Sequence, residues 1–226
     1  MSPLPPLPRV KICGIRRLQD ARLAAEAGAD AIGLLVGQKH PSGDFIEPET
    51  AAAIVALCPP FITPVLVTHV DDPVAVHALA RDLGVSTIQI HSDMPPEDVS
   101  RLRALGGPGW KLLKALHVIS EASLSAGDAY RELVDGFVLD SINTQTGQVG
   151  GTGLRTDQEL SRRLVAHLAP LPVILAGGLH PDNVADAIAA VSPFGVDVNS
   201  GTKGPDGFKD PARIRAFVRA AKGLPL

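Results

Sequence analysis

Aromatic residues are scarce in this chain, at 4% of its 226 positions. Surfaces that stack nucleic-acid bases are built from such side chains, so no nucleic-acid partner is expected. Cysteine is nearly missing: Cys13 and Cys58 are the only two. Two thiols cannot make a disulfide scaffold, and they suit a reducing compartment. Charge of one sign is also lacking. The 21 Lys+Arg and 24 Asp+Glu leave a net charge of −3, so neither a basic stripe nor an acidic tail points to a polyelectrolyte. No apolar run reaches the roughly 18 residues of a membrane span. Residues 1–8 are proline-rich and uncharged, unlike a signal or transit peptide. They are expected to be a flexible leader on a cytoplasmic protein with no membrane partner.

What is present is a core-forming composition, 45% hydrophobic and 20% charged, in a chain of between one and two typical domain lengths. Short β-branched runs at 10–13, 31–35, 62–67, 87–90, 111–115, 136–139, 173–176 and 195–198 read as strands. Between and after them, amphipathic stretches at 18–27, 48–57, 73–83, 96–105, 121–130, 157–168, 181–191 and 211–221 read as helices. Five of these open on proline, the residue that loses least at the first helical position. Asp72 and Asp210 precede two of those prolines and can cap them. Eight strands in strict alternation with eight helices predict an α/β fold, a single (β/α)8 TIM barrel spanning residues 9–226. A doubly wound sheet would carry its glycine-rich phosphate loop after the first strand. Here that strand ends in Lys11-Ile12-Cys13-Gly14, without such a loop.

In a barrel, function gathers at the C-terminal ends of the strands. Strand one brings Cys13 there and strand six brings Asp140. A thiol could serve as a base if its pKa is lowered, or be a small hydrophobe; the carboxyl could be an acid, or a turn cap. Three glycine segments carry more weight. Gly150-Gly151-Thr152-Gly153 precedes the sixth helix, Gly177-Gly178 follows strand seven, and Ser200-Gly201 follows strand eight. Glycine lets backbone N–H groups approach an anion closely, so three such loops at neighbouring strands point to a phosphate cradle.

From Val10 to the C-terminus the sequence resembles the phosphoribosylanthranilate isomerase family of tryptophan biosynthesis. The resemblance is carried by VKICGI at 10–15, IQIH at 88–91, LDS…GGTG at 139–153, AGGLHPDNV at 176–184 and FGVDVNSG at 194–201. It implies an Amadori-type aldose–ketose isomerase that needs neither metal nor organic cofactor, with a small phosphosugar as its partner, acting as a monomer or homodimer. It further implies Cys13 as general base and Asp140 as general acid. Lys11, Gln89, His91, Gly151, Gly153, Gly177, Gly178, Ser200 and Gly201 are then the substrate- and phosphate-binding residues.

The match departs from the family where the aromatic half of the substrate is recognised. A Ser-x-Arg element reads Ser42-Gly43-Asp44, so an anion stands where the carboxylate-binding cation is expected. The usual SGVE ending reads Ser200-Gly201-Thr202-Lys203. Lys39, Lys203 and Arg155 are the cations that could compensate; without compensation, a diverged paralogue acting on another phosphosugar is the alternative, with a non-catalytic phosphate-ligand binder as a third reading. A different mechanistic class is offered by His69, His91 and His117, which fall at the ends of strands three, four and five and could share a divalent metal. His40, His77, His167 and His180 are expected at the surface.

Overall fold

The computed structural model describes residues 7–39, 42–118, 121–140, 142–143, 148–149 and 157–224. Eight parallel strands close into a barrel: β1 (Arg9–Ile12), β2 (Ala31–Leu35), β3 (Thr63–Thr68), β4 (Thr87–Ile90), β5 (Lys111–His117), β6 (Gly136–Asp140), β9 (Val173–Leu175) and β10 (Gly195–Val198). Each pairs in register with its neighbours, and β1 closes the ring against β10 through Lys11 opposite Asp197. A short antiparallel hairpin of β7 (Ile142–Asn143) and β8 (Gln148–Val149), which the sequence reading did not anticipate, follows β6.

Side-chain alternation sorts the core into two layers. Val10 and Ile12, Ile88 and Ile90, Phe137 and Leu139, and Val196 and Val198 belong to the large cluster between sheet and helices. Their strand neighbours point to the lumen, where Cys13, Val65 and Val67 form a smaller cluster with Ala31 and Leu35. The lumen also holds polar groups, including Lys11, Gln89, Asp140 and Asp197, all less than 9% exposed.

The helices are α1 (Leu18–Glu26), α2 (Pro48–Ala56), α3 (Pro73–Leu83), α4 (Pro96–Gly106), α5 (Gln158–Leu168), α6 (Val184–Val191) and α7 (Pro211–Lys222). Proline opens α2, α3, α4 and α7. Asp72 caps Val74 and Ala75, and Asp210 caps Ala212 and Arg213. Two expected helices differ. At 121–130 two 3-10 turns, Glu121–Leu124 and Asp128–Tyr130, replace a helix. Gly127 interrupts helical propensity there, and a Cβ on it would lie 2.7 Å from Leu168 Cδ2. The helix expected from Pro181 begins instead at Val184, because Asn183 is committed to the preceding loop: its Oδ1 accepts from His180 N at 2.8 Å and its Nδ2 donates to Gly178 O at 3.0 Å. Among the described residues no helix is long and apolar enough to cross a membrane.

Candidate active site

Cys13 follows β1 directly, its N–H still donating to Val198 O at 2.8 Å. Its Sγ sits in a crowded place. A Cβ on Gly33 of β2 would lie 2.7 Å from Cys13 Sγ and 3.1 Å from Lys11 Nζ, so only glycine leaves room for both groups. Lys11 Nζ in turn donates to Asp197 Oδ2 at 2.7 Å, within the barrel interior. Burial works to lower the Lys11 pKa, but Asp197 and the nearby thiol outweigh it and hold the ammonium charged. Burial pushes the Cys13 thiol up to about 11; Lys11 and Lys209 pull against that rise and Asp197 adds to it. Lys11, expected to meet substrate, is therefore engaged with the thiol and with Asp197. Asp197 itself was missed in the sequence, although a carboxylate at a lumen position of the apolar run Gly195–Val198 was the available signal.

Asp140 ends β6, three strands from β1 by the shorter way round the ring. His91 Nε2 lies 3.6 Å from its Oδ2. On the other side of the ring the Gln89 amide nitrogen is 3.1 Å from His91 Nδ1. Gln89 thus occupies Nδ1, and Nε2 is the ring nitrogen that faces Asp140. Burial, with His69 and His117 adjacent, holds His91 well below the usual histidine pKa, so it is neutral. The three histidines do converge, with ring centroids 5.1 Å (His69–His91) and 5.7 Å (His91–His117) apart. Both His91 nitrogens already face protein groups, Gln89 and Asp140. Of the four histidines expected at the surface, His167 reaches Asp128 at 2.7 Å and His77 packs against the Trp110 ring; His40 lies outside the described residues.

The two glycine loops after β9 and β10 meet. Gly177 and Gly178 both have positive φ, +88° and +64°. A Cβ on Gly201 would fall 2.0 Å from Leu179 O, so the loops touch backbone to backbone. Among the described residues the amides of Gly177, Gly178, Ser200 and Gly201 have no backbone acceptor. Consecutive donors of this kind form an anion-binding concavity. Gly151, Gly153 and Arg155 lie outside the described residues.

Asp44 is not a bare anion. Lys203 Nζ contacts its Oδ1 at 2.5 Å and Oδ2 at 2.7 Å, and Asn199 Nδ2 donates to Oδ2 at 2.8 Å. Asn199 is held in turn by Lys209, whose Nζ donates to Asn199 O, Asn199 Oδ1 and Thr202 Oγ1. Burial takes Lys209 down to about 8. A Cβ on Gly14 would lie 2.3 Å from Asn199 Oδ1, so this chain of contacts passes close over the residue after Cys13. Asn199 and Lys209 were not singled out from sequence, since their partners are distant along the chain. Lys39 pairs instead with Asp71.

A closed parallel (β/α)8 barrel with a thiol, a carboxyl and paired glycine loops at the C-terminal ends of its strands belongs to the barrel enzymes. The family model for N-(5'-phosphoribosyl)anthranilate (PRA) isomerase matches residues 10–220. The chain belongs to that family. It is 46% identical over 214 residues to N-(5'-phosphoribosyl)anthranilate isomerase 2 of Methanosarcina mazei, covering 95% of this chain and 94% of the relative. It is similar to the solved structure of a phosphoribosyl anthranilate isomerase in complex with reduced 1-(o-carboxyphenylamino)-1-deoxyribulose 5-phosphate, with a TM-score of 0.81 at 33% identity over 96% of this chain and 100% of the other. It is likewise similar to the dimeric phosphoribosylanthranilate isomerase of Thermotoga maritima in its monomeric form, with a TM-score of 0.81 at 31% identity and the same coverage.

Proposed function

We propose that this protein is an isomerase that carries out the Amadori-type rearrangement of N-(5'-phosphoribosyl)anthranilate in tryptophan biosynthesis, in the cytoplasm. The observation that supports it best is that Cys13 and Asp140 stand at the ends of the two strands flanking β9 and β10, whose following loops carry Gly177–Gly178 and Ser200–Gly201. The glycine loops hold the phosphate. Asp140, oriented by neutral His91, gives its proton to the furanose ring oxygen as the C1–O bond breaks, and the nitrogen lone pair forms the Schiff base. Cys13 as thiolate then takes the proton from C2, and the electron pair moves to give the enolamine. Tautomerisation yields the aminoketose. Lys11, fixed by Asp197, offsets the charge of the thiolate when the thiol has lost its proton.

The test is a steady-state assay on N-(5'-phosphoribosyl)anthranilate. Native turnover that drops at least about a hundredfold in both Cys13→Ser and Asp140→Asn is expected; turnover surviving either change overturns the assignment. Gly178→Asp should abolish binding of the phosphosugar, through bulk at a positive φ and like charge. Normal binding by that variant would place the cradle elsewhere.

For assembly we propose a homodimer joined at the end of the barrel opposite the mouth. The loops that precede β3 and β10 expose Phe61 fully and Phe194 by half, and Phe61 holds a positive φ of 69°. Sedimentation should give a dimer that Phe61→Glu converts to a monomer; a native monomer refutes it.

A further inference from the structure

The steps above engage the phosphate and the sugar and leave the aromatic carboxylate without a partner. That group is present in the o-carboxyphenylamino ligand of the related solved structure. A carboxylate entering a partly desolvated mouth needs directed donors or a cation.

Most cations near the mouth among the described residues are already committed. Lys11 is buried between Asp197 and the thiol. Lys209 spends its three N–H groups on Asn199 O, Asn199 Oδ1 and Thr202 Oγ1. Arg16 and Arg17 lie over the Phe208 ring, at 4.4 and 3.7 Å from its centroid. Lys39 pairs with Asp71 in the open, where both side chains are more than half exposed. Lys203 differs from all of these. Its Nζ contacts both oxygens of one carboxylate, Asp44, which leaves one of its three N–H groups for another acceptor. It is also the more open member of the pair, 24% exposed against 12% for Asp44.

The pair is held from behind. Asn199 fixes Asp44, and the loop carrying Lys203 closes on itself through Gly204 N to Phe208 O at 2.8 Å and a Lys203–Lys209 backbone bridge. That loop begins two residues after Gly201 of the phosphate cradle. An ammonium so placed loses little freedom on binding a ligand, which favours recognition.

We propose that Lys203 is the specificity-determining residue that binds the carboxylate of the substrate's aromatic ring, and that Asp44 is the positioning residue that aims it. This rests on the reading given under Proposed function and extends it to the other half of the substrate. The two halves of the pair then have opposite effects. Removing Lys203 removes the donor, whereas neutralising Asp44 frees the ammonium from its counter-charge. A purely structural strap would respond alike to both changes.

The experiment is calorimetric binding of reduced 1-(o-carboxyphenylamino)-1-deoxyribulose 5-phosphate and of its phenylamino counterpart, which lacks the carboxyl. The native protein should prefer the carboxylated ligand by about tenfold or more, the range of one charge-assisted hydrogen bond. Lys203→Met should erase that preference while leaving the affinity for the phenylamino ligand as it was. Lys203→Arg should keep the preference, and Asp44→Asn should increase it. Equal native affinity for the two ligands, a preference that survives in Lys203→Met, or parallel weakening of both ligands in Lys203→Met and Asp44→Asn overturns the assignment while the isomerase reading stands. Native binding of neither ligand removes both together. Should Lys203→Met fail to fold, Asp44→Asn decides: a larger preference supports the assignment, and an unchanged or smaller one overturns it.

Discussion

At Cys13 burial and charge pull in opposite directions, and burial wins. A thiol at about 11 keeps its proton at neutral pH, so a base step through Cys13 draws on a small thiolate fraction. The expected consequence is alkylation of Cys13 by iodoacetamide that speeds up about tenfold per pH unit between pH 7 and 9, because below its pKa the thiolate fraction grows in that proportion. A rate that levels off within that range would show a thiol already ionised there. Lys11→Met should move the thiol higher still and slow its alkylation by iodoacetamide at pH 8 by about tenfold or more, since a neighbouring opposite charge is worth one or more pKa units. The same change strands Asp197 in the barrel interior, so Lys11→Met paired with Asp197→Asn is the better-folded comparison. Gly33→Ala tests the crowding directly. Its methyl group would overlap Cys13 Sγ, so melting is expected to fall by an amount equivalent to about 1–3 kcal/mol, with a larger loss in kcat.

Among the elements, the loops after β9 and β10 matter most for the proposed phosphate site. Gly177 and Gly178, both at positive φ, are held in the loop after β9 by Asn183, which accepts from His180 N and donates to Gly178 O just ahead of α6. Asn183→Ala should destabilise the fold by about 1–2 kcal/mol, as lost caps and buried loop bonds do, and should raise KM for the phosphosugar with a smaller change in kcat. The helix at 121–130 illustrates where local pattern misleads. Glu121 through Tyr130 has reasonable helical periodicity, yet the close approach of Leu168 and Leu116 to Gly127 fits only a tighter path. The proline-opened helices carried their start signal within four residues, and α2, α3, α4 and α7 begin at those prolines.

On the scale of the whole molecule, two buried lysines make stability depend on pH. Burial lowers Lys114 and Lys209 from the usual 10.5 to about 8 each. Between pH 8 and 10.5 the unfolded chain binds protons that the folded one does not, so stability rises with pH through that window. Cys13 works the other way between its ordinary value of 9.0 and about 11, where the folded thiol retains a proton that the unfolded one has lost. Two lysines outweigh one thiol up to about pH 10. Thermal melting should therefore rise from pH 8 to 10, and Lys114→Met should flatten part of that slope; a melting temperature that falls steadily over the range contradicts the balance. Among the described residues Lys114 donates to the carbonyls of Ser92 and Ala115 and lies 5.3 Å from the centre of the Tyr130 ring, so its replacement removes no group used in the proposed catalytic steps.

The sequence by itself determined the alternation of strand and helix, and with it the barrel, because both depend on short-range period and punctuation: apolar runs of four to six residues, prolines at helix starts and aspartates before them. It also placed Cys13 and Asp140 at strand ends, since a strand's end can be read locally. Three-dimensional closure decided the rest. Lys11 meets Asp197 only because β1 and β10 become neighbours when the ring closes, 186 residues apart in sequence. Asp44 reads as an isolated anion in the sequence and becomes half of a charge pair when the loops after β2 and β10 converge on Lys203. Gly33 and Gly14 are ordinary glycines in the sequence; only the packed lumen shows that a methyl group at either would displace Cys13 or Asn199. Pairing across the barrel is fixed by which strands lie side by side and in what register, and no local period encodes that.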